Sequence, residues 1–260
     1  MVEQRSLWRD GVFEPVNSRD SAGERIAVAD SWLVRDGNVL GLELHRNRFA
    51  KSVEETGWKG GVDVDGFWSA VVGSLPRTGQ WFPRVELFIV GEMPQLGFLL
   101  RRSPRLSRVA RLITHSGSDF RTVPAIKGPD LDAMIRARSD GQKAGADEVI
   151  LVSTDGHIID GTSTAILWWR DGAIFSPPLS RSRVDSITAR TINIVARATG
   201  IDVGSEDARP DDLSGCVIWA VNALHGIRAV TAWIDGPPVT QDDQLTRAWR
   251  SRLRALERPI

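Results

Sequence analysis

Between residues 146 and 178 the chain reads ADEVILVSTDGHIIDGTSTAILWWRDGAIFSPP, short β-branched and aromatic runs broken by Asp155-Gly156 and Arg170-Asp171-Gly172. Asp-Gly between such runs is a hairpin signal, because the tight turn needs positive φ, which Gly and Asp accept at little steric cost. The stretch is therefore expected to be an antiparallel meander of three or four strands. One residue in it is out of character. Asp160 closes the apolar run His157-Ile158-Ile159 and precedes Gly161-Thr162-Ser163-Thr164. A carboxylate at a strand end needs a partner or water, and the rest of the chain can be searched for that partner.

The same turn signal recurs at Asp10-Gly11 and Asp36-Gly37, each placed between strand-like runs. After them the period changes. His45, Arg48, Phe49, Ser52 and Val53 fall on one face of a helix over 45–56. An Arg on that stripe must find an internal carboxylate, reach solvent along its stem, or bind an external anion, since it cannot shed its charge. A second helix is expected over 62–75, then strands at 85–90 and 96–100 and a cluster of Arg101, Arg102 and Arg105. Residues 116–128 have a linker's composition and hold the expected domain boundary, with domains at 1–120 and 121–260. Helices follow over about 131–144 and 185–199, the latter capped by Asp185 or Ser186. The Ile187 and Thr188 amides then lie in a first turn that favours an anion such as phosphate. Strands at 217–224 and 227–234 lead to a final helix for which Thr240 is the expected cap.

Composition narrows the chemistry. Lys plus Arg equals Asp plus Glu at 33 each, so no net field argues for nucleic acid or an anionic membrane. No run approaches the roughly 18 apolar residues of a membrane helix, and the N-terminus lacks an apolar leader, which points to a cytoplasmic protein. Cys216 lies in an apolar run and reads as a buried thiol, without a disulfide framework. His45, His115, His157 and His225 lack metal-ligand spacing. The chain has no Tyr, which removes any mechanism needing a phenol. Lysine occurs only at 51, 59, 127 and 143. Lys51, Lys59 and Lys143 have polar or glycine-rich neighbours, whereas Lys127 sits beside apolar residues between a strand-like segment and a helix. It is the lysine expected to be chemical.

Four separated pieces resemble one family. They are His45-x-x-Arg48-Phe49-x-x-Ser52; Lys127-Gly-Pro-Asp130-Leu131; Ala146-Asp147-Glu148 with Asp160-Gly-Thr-Ser-Thr-Ala165-Ile-Leu-Trp168; and Asn222-Ala223-Leu224-His-Gly226-Ile227. In this order they resemble the class IV aminotransferases, pyridoxal-phosphate (PLP) enzymes that include branched-chain and D-amino acid aminotransferases and aminodeoxychorismate lyase. The resemblance implies an α+β chain of PLP fold type IV: a small α/β domain, a larger domain on a barrel-like sheet with helices, and an active site at the domain boundary of a homodimer. It also implies roles. Lys127 would form the internal aldimine and move the proton at Cα. Arg48 would hold the cofactor phosphate, with the amides of Ile187 and Thr188. Asp160 would face the pyridine nitrogen, and Thr164 and Ala223 would complete the cofactor shell.

The chain departs from the family at several points. Asp160 stands where Glu is usual, Ala165 where Asn is usual, and Arg190 where an Arg normally follows the Thr directly. A short hairpin replaces the glycine-rich loop before the His-x-x-Arg helix. The Asn222 segment and Ile166-Leu167-Trp168 look most like the lyase branch, so the expected activity is release of pyruvate from an amino substrate to leave 4-aminobenzoate. The alternatives are an aminotransferase using a keto-acid co-substrate and a PLP-binding protein without standard catalysis.

Overall fold

Asp10-Gly11, Asp36-Gly37 and Asp171-Gly172 all carry positive φ in the computed structural model (48° and 82°, 47° and 72°, 51° and 78°), and each joins two antiparallel strands. The structure describes residues 3–16, 23–58 and 62–260. Two compact units emerge: Met1–Leu106 with Ile126–Pro129 and Leu256–Ile260, and Ser107–Ala125 with Asp130–Ala255.

The first unit runs β1 (Glu3–Arg9), β2 (Val12–Val16), β3 (Glu24–Ser31), β4 (Val34–Arg35), β5 (Asn38–Val39), α1 (Leu42–Glu55), α2 (Val64–Ser74), β6 (Gln80–Trp81), β7 (Arg84–Val90) and β8 (Met93–Arg101). Its main sheet has the order β2-β1-β8-β7-β3, which leaves β3 at one edge. Alternate residues of its strands, including Val28, Val85, Leu87, Leu96 and Phe98, point to one face and form a core with Phe49 and Val53 of α1 and Phe67, Trp68 and Val71 of α2. Asp63 caps α2 by accepting from the Gly66 amide at 2.8 Å.

The second unit runs β9 (Val109–Thr114), α3 (Leu131–Lys143), β10 (Glu148–Val152), β11 (Ile158–Gly161), β12 (Ala165–Arg170), β13 (Ala173–Ser176), α4 (Ile187–Ala198), β14 (Val203–Ser205), β15 (Val217–Asn222), β16 (Gly226–Ile234) and α5 (Asp243–Ala255). A last strand, β17 (Arg258–Pro259), belongs to the first unit, where it pairs with β5. The eight-stranded sheet has the order β11-β10-β9-β16-β15-β12-β13-β14.

That order corrects the expected meander. Residues 146–178 form two separate hairpins, β10-β11 and β12-β13, and β9, β16 and β15 lie between them. The sheet curls, and the Gly161 amide donates to the Thr164 carbonyl at 2.8 Å across the connection from β11 to β12. Local turn chemistry specified the hairpins. Their separation comes from long-range pairing with β9, parallel to both β10 and β16, which no local pattern encodes. The expected Thr240 cap is also corrected. Thr240 bridges to Val217, while Asp242 accepts from the Leu245 amide at the start of α5. Cys216 is buried, as its run suggested.

Candidate active site

In the first unit the site residues gather on Asp30. Strand β3 is apolar over Ala27, Val28 and Ala29 before Asp30, which is only 1% exposed. At Oδ2 its carboxylate accepts from Arg48 Nε (2.8 Å). At Oδ1 it accepts from Arg48 Nη2 (2.7 Å), His45 Nδ1 (2.8 Å) and the Ser31 amide (2.7 Å). His45 and Arg48, three residues apart on α1, share the face turned toward β3. The inward-facing arginine has therefore met an internal carboxylate. Burial raises the Asp30 carboxyl, but Arg48 and then His45 outweigh it and hold the group well below the usual carboxylate range. Burial is the largest influence on His45 and pushes it down, the charges of Arg48 and Lys127 push the same way, and together they outweigh the pull of Asp30. The imidazole is thus neutral and gives its Nδ1 proton to Asp30, with its ring 5.7 Å from that of Trp32.

Lys127 belongs to the same unit, in Ile126–Pro129. Its carbonyl accepts from the Ala29 amide at 2.6 Å. Gly128, at φ 136°, approaches β3 so closely that a Cβ would lie 2.7 Å from Ala29 N and 2.8 Å from Val28 C. Only glycine permits that approach, which pins the Lys127 backbone beside β3, the edge strand of its sheet. Lys51 and Lys143 are each 75% exposed and paired with Glu55 and Asp140; Lys59 lies outside the described residues. The candidate arginines for a substrate carboxylate also separate. Arg101 donates to the Phe82 carbonyl and lies over that ring, Arg102 lies 3.9 Å over Trp81, Arg105 is exposed, and Arg84 pairs with buried Glu86 at 2.6 Å.

In the second unit Asp160 is the penultimate residue of β11, 6% exposed. Among the described residues only the Gly161 amide donates to it (3.1 Å). Burial pushes its carboxyl up to about 7, against the pull of Arg183 and Arg121. Arg183 is 9% exposed and gives Nε and Nη2 to the Pro177 carbonyl (3.0 and 2.7 Å). Arg121 is bound to Asp119 at 2.8 Å, and its buried Nη1 has no hydrogen-bond partner among the described residues.

The turn after Asp160 is held by a buried acid. Glu148 accepts from Thr162 Oγ1 (2.5 Å), Ser163 N (2.8 Å), Ser163 Oγ (2.7 Å) and Arg228 Nη2 (2.7 Å). Thr164 donates to the Val221 carbonyl at 3.2 Å. Asn222 ties this loop to the next turn: its amide donates to Ser163 O (3.0 Å), while its Oδ1 accepts from the amides of Leu224 (3.1 Å) and His225 (2.8 Å), the two residues after Ala223. Ile187 and Thr188 begin α4, where Ser186 Oγ accepts from Ala189. The cap thus takes the third amide of the helix rather than the first two, and the helix dipole adds positive potential there.

Arg48 and Lys127 therefore belong to one unit, and Asp160, Thr164, Ile187, Thr188 and Ala223 to the other. Asp30, Arg183 and Arg228 were missed from sequence, although each leaves a trace: a charge inside an apolar or proline-flanked run.

A family model described as amino-transferase class IV matches residues 27–233. A Rickettsia bellii protein named "Probable branched-chain-amino-acid aminotransferase" is 23% identical over 189 residues, 66% of this chain and 65% of that protein. A Methanocaldococcus jannaschii relative of similar name is 29% identical over 90 residues, 35% of this chain and 31% of its own length. The chain thus spans less than two thirds of either relative. Among solved structures, a branched-chain aminotransferase from Thermoproteus uzoniensis with norvaline superposes with a TM-score of 0.83 at 17% identity, covering 98% of this chain and 99% of the other. A fold IV transaminase from Curtobacterium pusillum gives 0.82 at 20% identity, covering 97% of both. A Legionella pneumophila structure provisionally named a 4-amino-4-deoxychorismate lyase gives 0.77 at 14%, covering 90% of this chain and 91% of that one.

Proposed function

The chain belongs to the amino-transferase class IV family, and on that premise we propose that this PLP-dependent enzyme moves the amino group of an amino acid to a keto acid, with Lys127 as the catalytic base. The observation that carries the cofactor assignment is Asp160. A carboxylate desolvated enough to be pushed up to about 7, with a single amide donor, suits a cationic N–H partner, and the protonated ring nitrogen of PLP is one. The donor set fits the other end of the cofactor as well. Arg48 supplies a guanidinium and the start of α4 supplies amides, both suited to a phosphate.

Bound PLP supplies an electron sink for the bond broken at the substrate Cα. The chain's own groups do the rest. Lys127 would hold the cofactor at its aldehyde end and would carry the proton at Cα, which requires an amine able to lose its charge near neutral pH. Its backbone anchor on Ala29 fixes where that amine starts. In the first unit Arg48, and in the second the amides of Ile187 and Thr188, would each be suited to hold phosphate. Asp160 holds the proton on the ring nitrogen, and the Glu148 network fixes the loop bearing Thr164. Asn222 shapes the turn that offers the Ala223 amide.

A second reading is pyruvate release from aminodeoxychorismate, favoured by the Asn222 turn, whose sequence resembles the lyase branch. Turnover of amino donors that requires a keto acid supports transfer. Pyruvate formed from aminodeoxychorismate without a keto acid replaces it with elimination. PLP binding with neither turnover leaves a PLP-binding protein without standard catalysis, and failure of the wild-type protein to bind PLP removes both enzyme readings. A cytoplasmic homodimer is part of the same proposal, and sedimentation of the purified chain tests the dimer.

A further inference from the structure

Two consecutive residues of β3 hold the two groups that the first unit would give the cofactor. The Ala29 amide binds the Lys127 carbonyl at 2.6 Å, and Asp30 binds Arg48 through two parallel hydrogen bonds of 2.8 and 2.7 Å. An aldehyde and a phosphate carried on one rigid ring demand a fixed separation between the residues that receive them. Adjacent positions on a strand provide such a ruler, because strand geometry leaves little freedom between them.

We propose that Asp30 is a positioning residue for cofactor phosphate binding, setting the plane and place of the Arg48 guanidinium relative to Lys127; this rests on the PLP reading above. Asp30 engages the Nε and Nη2 side of the guanidinium, so the Nη1 side is turned away from it in a defined plane. A long arginine side chain otherwise loses rotamer freedom when it orders on a ligand. Here that ordering precedes the ligand. His45 reinforces the arrangement: its neutral ring, set near Trp32, donates to the Oδ1 that also accepts from Nη2. The carboxylate also acts in the opposite direction, since it offsets the positive charge that attracts phosphate. Orientation and charge thus predict opposite outcomes when Asp30 is altered.

The test is equilibrium binding to the full chain, followed by tryptophan fluorescence, with pyridoxal 5′-phosphate and with pyridoxal, which lacks the phosphate. In Asp30→Asn the preference for the phosphorylated form is expected to fall about tenfold or more, the scale of outer partners that orient a direct ligand, while pyridoxal affinity stays within about twofold. Asp30→Glu keeps the charge and the ion pair but displaces the guanidinium by one methylene, and it should show the same loss. This second variant decides the matter if the first does not fold. An unchanged preference in either folded variant, or tighter phosphate-dependent binding in Asp30→Asn, overturns the positioning role. No binding of pyridoxal 5′-phosphate by the wild type would instead remove the PLP reading on which it rests.

Discussion

Replacing Asp160 with Asn in the cofactor-free protein should stabilise it, by an amount that grows with pH. Asp160 is pushed up to about 7 in the folded chain, against about 3.9 for an unperturbed Asp. Below about pH 4 the carboxyl is protonated in both the folded and unfolded states and costs nothing. Between about pH 4 and 7 the unfolded chain releases the proton and the folded chain keeps it, so stability falls as pH rises. Above 7 the full penalty is present and constant. A span of about three pH units, at about 1.4 kcal/mol for each, sets an upper bound of about 4 kcal/mol. Asn has nearly the same shape and no charge to bury, so it removes this penalty. Urea unfolding of wild type and Asp160→Asn from pH 4.5 to 8.5 would measure the difference, and background titrations cancel between the two. A stabilisation near zero at the acid end that rises towards pH 7 and then levels off is expected. A difference independent of pH, or Asn destabilising the chain at pH 8, would refute the reasoning. Adding PLP should reverse the order, because the wild type then gains a cationic partner that Asn cannot match.

Other substitutions probe the remaining anchors. Lys127→Ala should abolish the visible absorption band that PLP gives with the wild type, and Lys143→Ala should leave it intact; a band surviving in Lys127→Ala would move the chemistry elsewhere. Gly128→Ala puts a Cβ 2.7 Å from Ala29 N and needs φ 136°, so a loss of roughly 1–3 kcal/mol in thermal or urea unfolding is expected, with weaker PLP binding. Arg228→Met leaves Glu148, 0% exposed, without its guanidinium. That should cost roughly 3–5 kcal/mol, and adding Glu148→Gln should recover part of it if the loss comes from the stranded charge.

Local chemistry made several parts of this protein legible from the chain alone. The Asp-Gly turns at 10–11, 36–37 and 171–172 fixed three hairpins, because positive φ is demanded by the turn itself. The period of His45, Arg48, Phe49 and Val53 placed a helix with an arginine on its inward stripe, for which an internal carboxylate, solvent or an external anion were the alternatives. Lys127 stood out because arginine is used almost everywhere else. The family followed from four short pieces in order.

What surrounds those residues was decided by contacts distant in sequence. The two hairpins of 146–178 share a sheet but are separated by β9, β16 and β15, since strand order depends on pairings that close long loops. Asp30 and Arg48 lie 18 residues apart, Glu148 and Arg228 lie 80 apart, and Lys127 meets Ala29 from nearly a hundred residues away. A charge inside an apolar run announces that a partner exists, but only the folded chain identifies it, because a buried ion is stabilised by whatever the tertiary structure places within hydrogen-bond reach. Asp160 shows the division most sharply. Sequence marked it as a carboxylate in need of a partner; burial with a single amide donor and two nearby arginines sets its proton affinity.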